Sequence, residues 1–229
     1  MTGPTLRAAE SVLDEGVPRR RSGGLDLGML LMVPVMVLLM LLNLTRAVTA
    51  AGRVQAFAVV GALLTAVFYA LVIVAYCRRT PARATSTSWS AHAAAVFATW
   101  LPFVFPLLPH RPAGTALAAA ADSCLLGGLA WSVWSLHTLG RSFSVLAQAR
   151  AVIDDGPYRL VRHPLYFGEL LSCAGLALGV AGVWSAVAWL TLLLLQLYRS
   201  GHEERVLRAC LPGYAAYRVK THRLVPGLL

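Results

Sequence analysis

The chain has 229 residues, 58% hydrophobic and 13% charged, with a mean hydropathy of +0.66 and a net charge of +10. A water-soluble domain of this size needs more polar surface, so the composition points to lipid. The basic residues, 19 Arg and one Lys, are dealt out among short loops rather than gathered on one face, which argues against nucleic acid as the partner and suits a positive-inside membrane protein.

Residues 1–25 are polar, carry Arg19-Arg20-Arg21, and read as a disordered cytoplasmic tail. The apolar run Leu27 to Leu44, interrupted only by Gly28 and Pro34, is 18 residues long. Val48-Thr49-Ala50 resembles a cleavage site, but the run is long for a signal-peptide core, so it is taken as the first span. Val54 to Cys77, Ala91 to Leu108 and Gly114 to Leu136 complete a four-span region over 26–136. Pro102 and Pro106 predict a kink or an early end in the third run. The Ala and Gly of the fourth suit close helix packing in a bilayer.

The last apolar run, Phe167 to Tyr198, has 32 residues. As one helix it would be roughly 48 Å long, against a hydrocarbon core of about 30 Å. Gly179-Val180-Ala181-Gly182 offers a break, and charge decides for a helical hairpin over 167–198. With the N-terminus cytoplasmic and a hairpin here, seventeen basic residues fall inside and only Arg46, Arg53 and Arg111 outside. A single helix would carry the six from Arg199 onward to the outside. Both termini are therefore expected in the cytoplasm, and the Arg-rich usage suits a GC-rich bacterial source and its inner (plasma) membrane. The fold expected is all-α: a polytopic membrane bundle of four N-terminal spans and a C-terminal hairpin, with its chemistry on the cytoplasmic side in residues 137–229.

Two polar regions flank that hairpin. The first contains Leu139-Gly140-Arg141-Ser142-Phe143-Ser144, then Asp155-Gly156-Pro157-Tyr158, then Arg162-His163-Pro164-Leu165-Tyr166-Phe167-Gly168. Gly156-Pro157 is a turn signal, and Pro164 biases His163 away from helix. Arg162 and His163 then sit at a non-helical junction, before a helix whose free N–H groups favour a carboxylate or phosphate. The second region reads His202-Glu203-Glu204-Arg205, then Gly213-Tyr214-Ala215-Ala216-Tyr217, and ends Arg223-Leu224-Val225-Pro226. Taken alone, Glu204 and Arg208 at four-residue spacing read as a surface ion pair.

Taken together, Gly-Pro-Tyr-x-x-x-Arg-His-Pro-x-Tyr-x-Gly, an apolar hairpin, Glu-Glu-x-x-Leu, Gly-Tyr-x-x-Tyr and a closing Leu-Val-Pro resemble the isoprenylcysteine carboxyl methyltransferase family. Its relatives include bacterial and archaeal membrane methyltransferases and phospholipid N-methyltransferases. The resemblance covers residues 137–226. It implies S-adenosylmethionine as cofactor, held between the Arg-His-Pro loop and the Glu-Glu segment and covered by the tail. By that likeness Tyr158, Arg162, His163, Pro164 and Tyr166 line the methionine and adenosine side, and Glu203 or Glu204 takes the ribose hydroxyls, with Tyr214 and Tyr217 closing the site. A carboxylate suits paired hydroxyls, and Arg or His⁺ suits the cofactor carboxylate. No Gly-x-Gly-x-x-Gly is present, so the usual soluble nucleotide-binding fold is not the vehicle.

Methyl transfer from a sulfonium needs alignment at about 3 Å in a shielded site and no covalent enzyme intermediate. An acceptor carboxylate would be oriented by Arg199 or Arg162, with Glu204 completing the expected catalytic set. An amine acceptor would need a base, such as His202 or a glutamate. The implied acceptor is a lipophilic small molecule or a prenylated peptide, entering among membrane lipids. Asp122 inside the fourth run and Glu169 one turn after Pro164 are further candidates. His92 and His110 read as interfacial, and Trp89, Trp100, Trp131, Trp134 and Trp184 as interface or packing residues. The spacing of Cys77, Cys124, Cys173 and Cys210 makes no case for a disulfide, and no metal site is expected. Two rivals stand: an NADPH-dependent membrane reductase of the sterol or steroid type, and a non-catalytic membrane scaffold. Ser200-Gly201-His202 departs from the family's pattern, and Gly201 is expected to loosen its helix.

Overall fold

The computed structural model describes residues 27–52, 55–78, 84–85, 88–109, 114–139, 148–149, 153–211, 213–225 and 227. The tail 1–25, most of the Leu139–Ser144 motif, Arg53, His110, Arg111 and Pro226 lie outside the described residues. Seven α-helices account for most of what is described: α1 (Leu27–Gly52), α2 (Ala56–Arg78), α3 (Trp89–Trp100), α4 (Thr115–Leu139), α5 (Pro164–Val180), α6 (Val183–Cys210) and α7 (Tyr214–Lys220). The exception to an all-α architecture is a two-residue antiparallel pair, β1 (Ala84–Thr85) with β2 (Gln148–Ala149).

Three helices are long and apolar enough to cross a membrane, at Val33–Gly52, Ala56–Arg78 and Thr115–Leu139. Within each, only 17% of the most apolar stretch is buried inside the protein. Side chains such as Leu38, Leu41, Phe57 and Val67 are exposed. Apolar faces of this extent are sustained by lipid and not by water. The third N-terminal run does not make a full-length helix. Its α-helical part, α3, is 12 residues long, and Leu101–Leu107 continues as a 3-10 helix carrying Pro102 and Pro106. Both prolines lack the N–H that an α-helix would use there, which explains the change.

The last apolar run is a hairpin, broken within Gly179–Gly182. Ala181 takes the left-handed conformation (φ 51°) and caps α5, its amide donating to Ala177 O at 2.9 Å. Gly182 opens α6, and Ser185 Oγ accepts from its amide at 3.2 Å. The arms are longer than the hydropathy alone draws them. The first begins at Pro164, and the second passes Tyr198 without interruption to Cys210, so membrane arm and Glu-Glu segment form one rigid helix.

Helices α4 and α5 run antiparallel at contact distance. A Cβ on Gly128 would fall on Ser172, one on Gly168 on Ser132, and one on Gly175 on the α4 backbone at Ala121 and Leu125. Glycine at these positions lets the two backbones meet. Trp131 locks the same seam, donating from Nε1 to Pro164 O at 3.0 Å and meeting Phe167 edge to face. The main core gathers Ala98, Phe105, Tyr166, Leu170, Leu192 and, from the C-terminal segment, Leu224.

Candidate functional site

Pro164 starts α5 and leaves His163 non-helical before it (φ −124°, ψ 59°). Upstream, Gly156 at φ +53° turns the chain into a short 3-10 segment, Gly156–Arg159, that buries Pro157 and Tyr158. The loop is then held from the other end of the sequence. Val161 and His222 form a parallel bridge, in which Arg162 N donates to His222 O (2.8 Å), His163 N to Arg223 O (3.1 Å) and His222 N to Leu160 O (3.2 Å). The C-terminal segment is thus a roof laid over the Arg-His-Pro loop, and Tyr217 fastens it by donating to Tyr158 O at 2.8 Å.

Under this roof lies a chain of charged groups. Arg162 Nε donates to Glu204 Oε1 at 2.8 Å, and its Nη1 donates to the carbonyls of Arg218 (3.1 Å) and Thr221. Arg208 reaches Glu204 Oε2 at 3.1 Å and Arg218 at 3.6 Å. The Glu204–Arg208 pair therefore exists, but as the rim of a buried network: the Glu204 side chain is only 5% exposed. His163 stands between the two glutamates, Nδ1 3.5 Å from Glu203 Oε2 and Nε2 3.5 Å from Glu204 Oε1. Tyr166 stacks on the His163 ring at 5.4 Å and donates its hydroxyl to Glu203 Oε1. Arg199 lies over the other contact of this array, its guanidinium carbon 4.6 Å from the Tyr166 ring centre.

These groups set one another's charge. Burial favours the neutral His163 ring, but hydrogen bonding to Glu203 and Glu204 and their charge prevail and raise its pKa above 6.5. Burial likewise works against the glutamates. His163, Arg199 and Tyr166 nevertheless hold Glu203 below the usual carboxylate value, and His163 with Arg162 hold Glu204 well below it. Burial keeps Tyr158, Tyr214 and Tyr217 neutral, and so available as hydroxyl donors.

Of the residues singled out from the sequence, the structure brings Tyr158, Arg162, His163, Pro164, Tyr166, Glu203, Glu204, Tyr214 and Tyr217 to one end of the bundle. Arg162 and Arg199 part company there. Arg162 is turned to Glu204 and the roof, whereas Arg199 faces a chamber in the helical bundle. That chamber, about 190 Å³, is walled by apolar groups including Met36, Val72, Phe103 and Leu129, and has Tyr166, Glu169 and Arg199 at its polar end. It shares Tyr69, Pro102, Phe103, Leu129 and Ser172 with a larger groove of about 1380 Å³ between α1, α2 and α4, where Asp122 lies. His202 lies beside Tyr198 and Arg205.

Gly201 corrects the expectation placed on it. It sits inside the unbroken α6, and a Cβ there would stand 2.7 Å from Arg223 Nη2. Its missing side chain makes room for Arg223, which donates to Ser200 Oγ (3.1 Å) and Leu197 O (2.6 Å). Sequence reasoning also missed Gln196, which is fully buried and joins Glu169 (2.6 Å) to Arg199 (3.2 Å). A glutamine in a leucine-rich run at i−3 from Arg199 was the available signal.

Residues 116–211 match the family model for phospholipid methyltransferases. The likeness to that family is confined to this segment. It covers some two-fifths of the chain and takes in most of α4, all of α5 and α6, and the loop carrying Arg162 and His163. The family's general reaction is methyl transfer, and the three apolar helices fit a methyltransferase of the membrane. No individual curated protein matches the chain.

Proposed function

We propose that the protein transfers a methyl group from S-adenosylmethionine to a lipophilic acceptor, an isoprenylcysteine-type carboxylate or another lipid. The observation that carries this reading is the adjacency of two unlike compartments across Tyr166 and Arg199: a buried ionic array inside the matched domain, and an apolar chamber within the helical bundle. A charged, water-soluble donor suits the first and a lipid tail the second.

The polar atoms fit the donor. The Tyr214 hydroxyl is buried without a hydrogen-bond partner among the described residues, and such a group stabilises a ligand that satisfies it. Glu203 is the more open of the two glutamates, with 18% of its side chain exposed, and would take the ribose hydroxyls; Glu204 is occupied by three arginines and anchors the loop instead. S-adenosylmethionine would supply an electrophilic methyl on a sulfonium. Tyr158, Arg162, His163 and Pro164 shape the loop beside it, Tyr166 positions Glu203, and the roof excludes water. The 190 Å³ chamber would hold the acceptor's reacting end, and Arg199 is the cation placed to orient it.

With the N-terminus in the cytoplasm, the array faces the cytosolic supply of the donor while the acceptor arrives from the bilayer. Binding of S-adenosylmethionine and, separately, of NADPH to the detergent-purified protein tests the reading. Micromolar binding of the first, lost in His163→Ala, is the expected result; binding of NADPH alone would make the protein a reductase, and binding of neither would leave a scaffold.

A further inference from the structure

Three polar rungs cross the hairpin where its arms meet the ionic array. His163, Tyr166 and Glu169 follow one another at three-residue spacing along the start of α5, and Gln196, Arg199 and Glu203 at spacings of three and four along α6. Each set therefore lines one face of its helix. In the first rung Gln196 Nε2 donates to Glu169 Oε2 at 2.6 Å. In the second the Arg199 guanidinium carbon lies 4.6 Å from the centre of the Tyr166 ring. In the third His163 Nδ1 stands 3.5 Å from Glu203 Oε2. The rungs are also joined lengthwise: Arg199 Nη1 donates to Gln196 Oε1 at 3.2 Å, the Tyr166 hydroxyl donates to Glu203 Oε1, and the Tyr166 ring stacks on His163.

Gln196 is fully buried, and both ends of its amide are engaged. A guanidinium only donates and an ionised carboxylate only accepts, so the two neighbours fix which way the amide points. An ionised glutamate at this position would have no proton for Glu169, and a methionine would serve neither neighbour. A buried network with its members joined in this way holds them in one arrangement. The guanidinium that Gln196 holds lies against the ring whose hydroxyl holds Glu203, so the contacts run unbroken from the chamber's polar end to the array.

We infer that Gln196 is a positioning residue for the donor site, acting through Arg199 and Tyr166 on Glu203. The inference rests on the proposed methyl-transfer reading, in which Glu203 takes the ribose hydroxyls, and deepens it: a residue outside the array sets the affinity within it. Losing the Gln196 contact gives the Arg199 side chain more freedom beside Tyr166, and Tyr166 in turn holds Glu203 less firmly. A ligand that needs Glu203 in place must then restore that order on binding, and its affinity falls.

The test is calorimetric binding of S-adenosylmethionine to the full-length protein in detergent, as a double-mutant cycle. Gln196→Met and Tyr166→Phe should each weaken binding by about tenfold, and the double variant should bind about as well as Tyr166→Phe alone, because both act through one path. Gln196→Glu still offers Arg199 Nη1 an acceptor and should stay within about threefold of the wild type. Tyr217→Phe, which releases the roof from Tyr158 O, serves as the second cycle; its effect should add to that of Gln196→Met. General loosening of the protein would not separate the two cycles, nor favour glutamate over methionine at 196. Should Gln196→Met fail to fold, Gln196→Asn, whose amide is drawn back by one methylene, replaces it in both cycles with the same expectations. Unchanged affinity in the variant at 196, additivity with Tyr166→Phe, or equal non-additivity with Tyr217→Phe would overturn the inference alone. Failure of the wild type to bind S-adenosylmethionine would remove the methyl-transfer reading and this inference with it.

Discussion

Glu204 and Glu169 are two carboxylates at opposite sides of the Tyr166–Arg199 partition, and their surroundings could hardly differ more. Glu204 is enclosed by Arg162, Arg208, Arg218 and His163, and both its oxygens are engaged. Among the described residues Glu169 has one hydrogen-bond donor, Gln196, and it lines a chamber. A saturated carboxylate fixes structure, since any further partner must displace one already there. The same residue type thus sits in two unlike settings, enclosed by cations on one side and at the polar end of an apolar chamber on the other.

The sharpest way to break this comparison is to remove each carboxylate in turn. Glu204→Ala leaves the Arg162 guanidinium, 8% exposed, without its counter-ion, and breaking such a buried pair costs about 3–5 kcal/mol. Arg208 and Arg218, both nearly half exposed, add little to that figure. Glu169→Gln, which keeps the hydrogen bond from Gln196, should change stability by less than about 0.5 kcal/mol. Thermal unfolding in detergent compares the two directly, and equal losses would erase the distinction between them.

The seam that sets both compartments beside each other comes next. Gly128 and Gly168 bring α4 against α5, and a side chain at either would strike the opposite backbone. Gly168→Val should cost about 1–3 kcal/mol through forced displacement of α4, and more if the helices part. Gly179→Ala on the same helix is the control, because a Cβ there meets only the Ala121 methyl at 3.9 Å. Similar Tm values for the two variants would show that the close approach is not what holds α5 in place.

Much of this arrangement was legible before the structure. The hairpin and its break followed from helix length and charge, and the start of α5 at Pro164 from the stereochemistry of proline. The non-helical setting of His163 followed from the same residue. The different surroundings of similar side chains were not legible, because they depend on contacts across 20 to 60 residues of sequence: Arg162 Nη1 donates to Thr221 O, 59 positions on. The early end of the third run followed from Pro102 and Pro106, whereas its continuation as a 3-10 helix over Leu101–Leu107 did not, since the prolines permit several outcomes and packing chooses among them. Gly201 was misread for a like reason. Propensity assigns a helical glycine a local cost, while its use here is to admit the side chain of Arg223, 22 positions later.

That use gives a graded pair of variants acting on the roof alone. Arg223→Ala removes the hydrogen bonds to Ser200 Oγ and Leu197 O and should cost about 1–2 kcal/mol. Gly201→Ala only crowds the flexible end of Arg223 and should cost less, in the same direction. Hydrogen exchange reports both, because the amides of Arg162 and His163 are protected by His222 O and Arg223 O. Faster exchange at these two positions, with the amides of α4 unchanged, is the expected pattern. Uniform loss of protection would mean that the roof and the bundle unfold together.

The smallest effect expected is also the most specific to the roof, and it is a dependence on pH. Glu203 and Glu204 titrate below their ordinary value of 4.5, so their contribution to stability is present above that pH and lost as pH falls through their depressed values. His163 titrates above its ordinary 6.5, so its contribution is complete below pH 6.5 and lost as pH rises through the raised value. The array is therefore most stable between about pH 4.5 and 6.5, where both carboxylates and the imidazolium are charged together. Tm in detergent should decline as pH rises from there, and His163→Gln should flatten that decline while lowering Tm at pH 6. A decline that survives in His163→Gln would assign the titration to another group and leave His163 neutral between its two glutamates, contrary to the charge balance that the roof encloses.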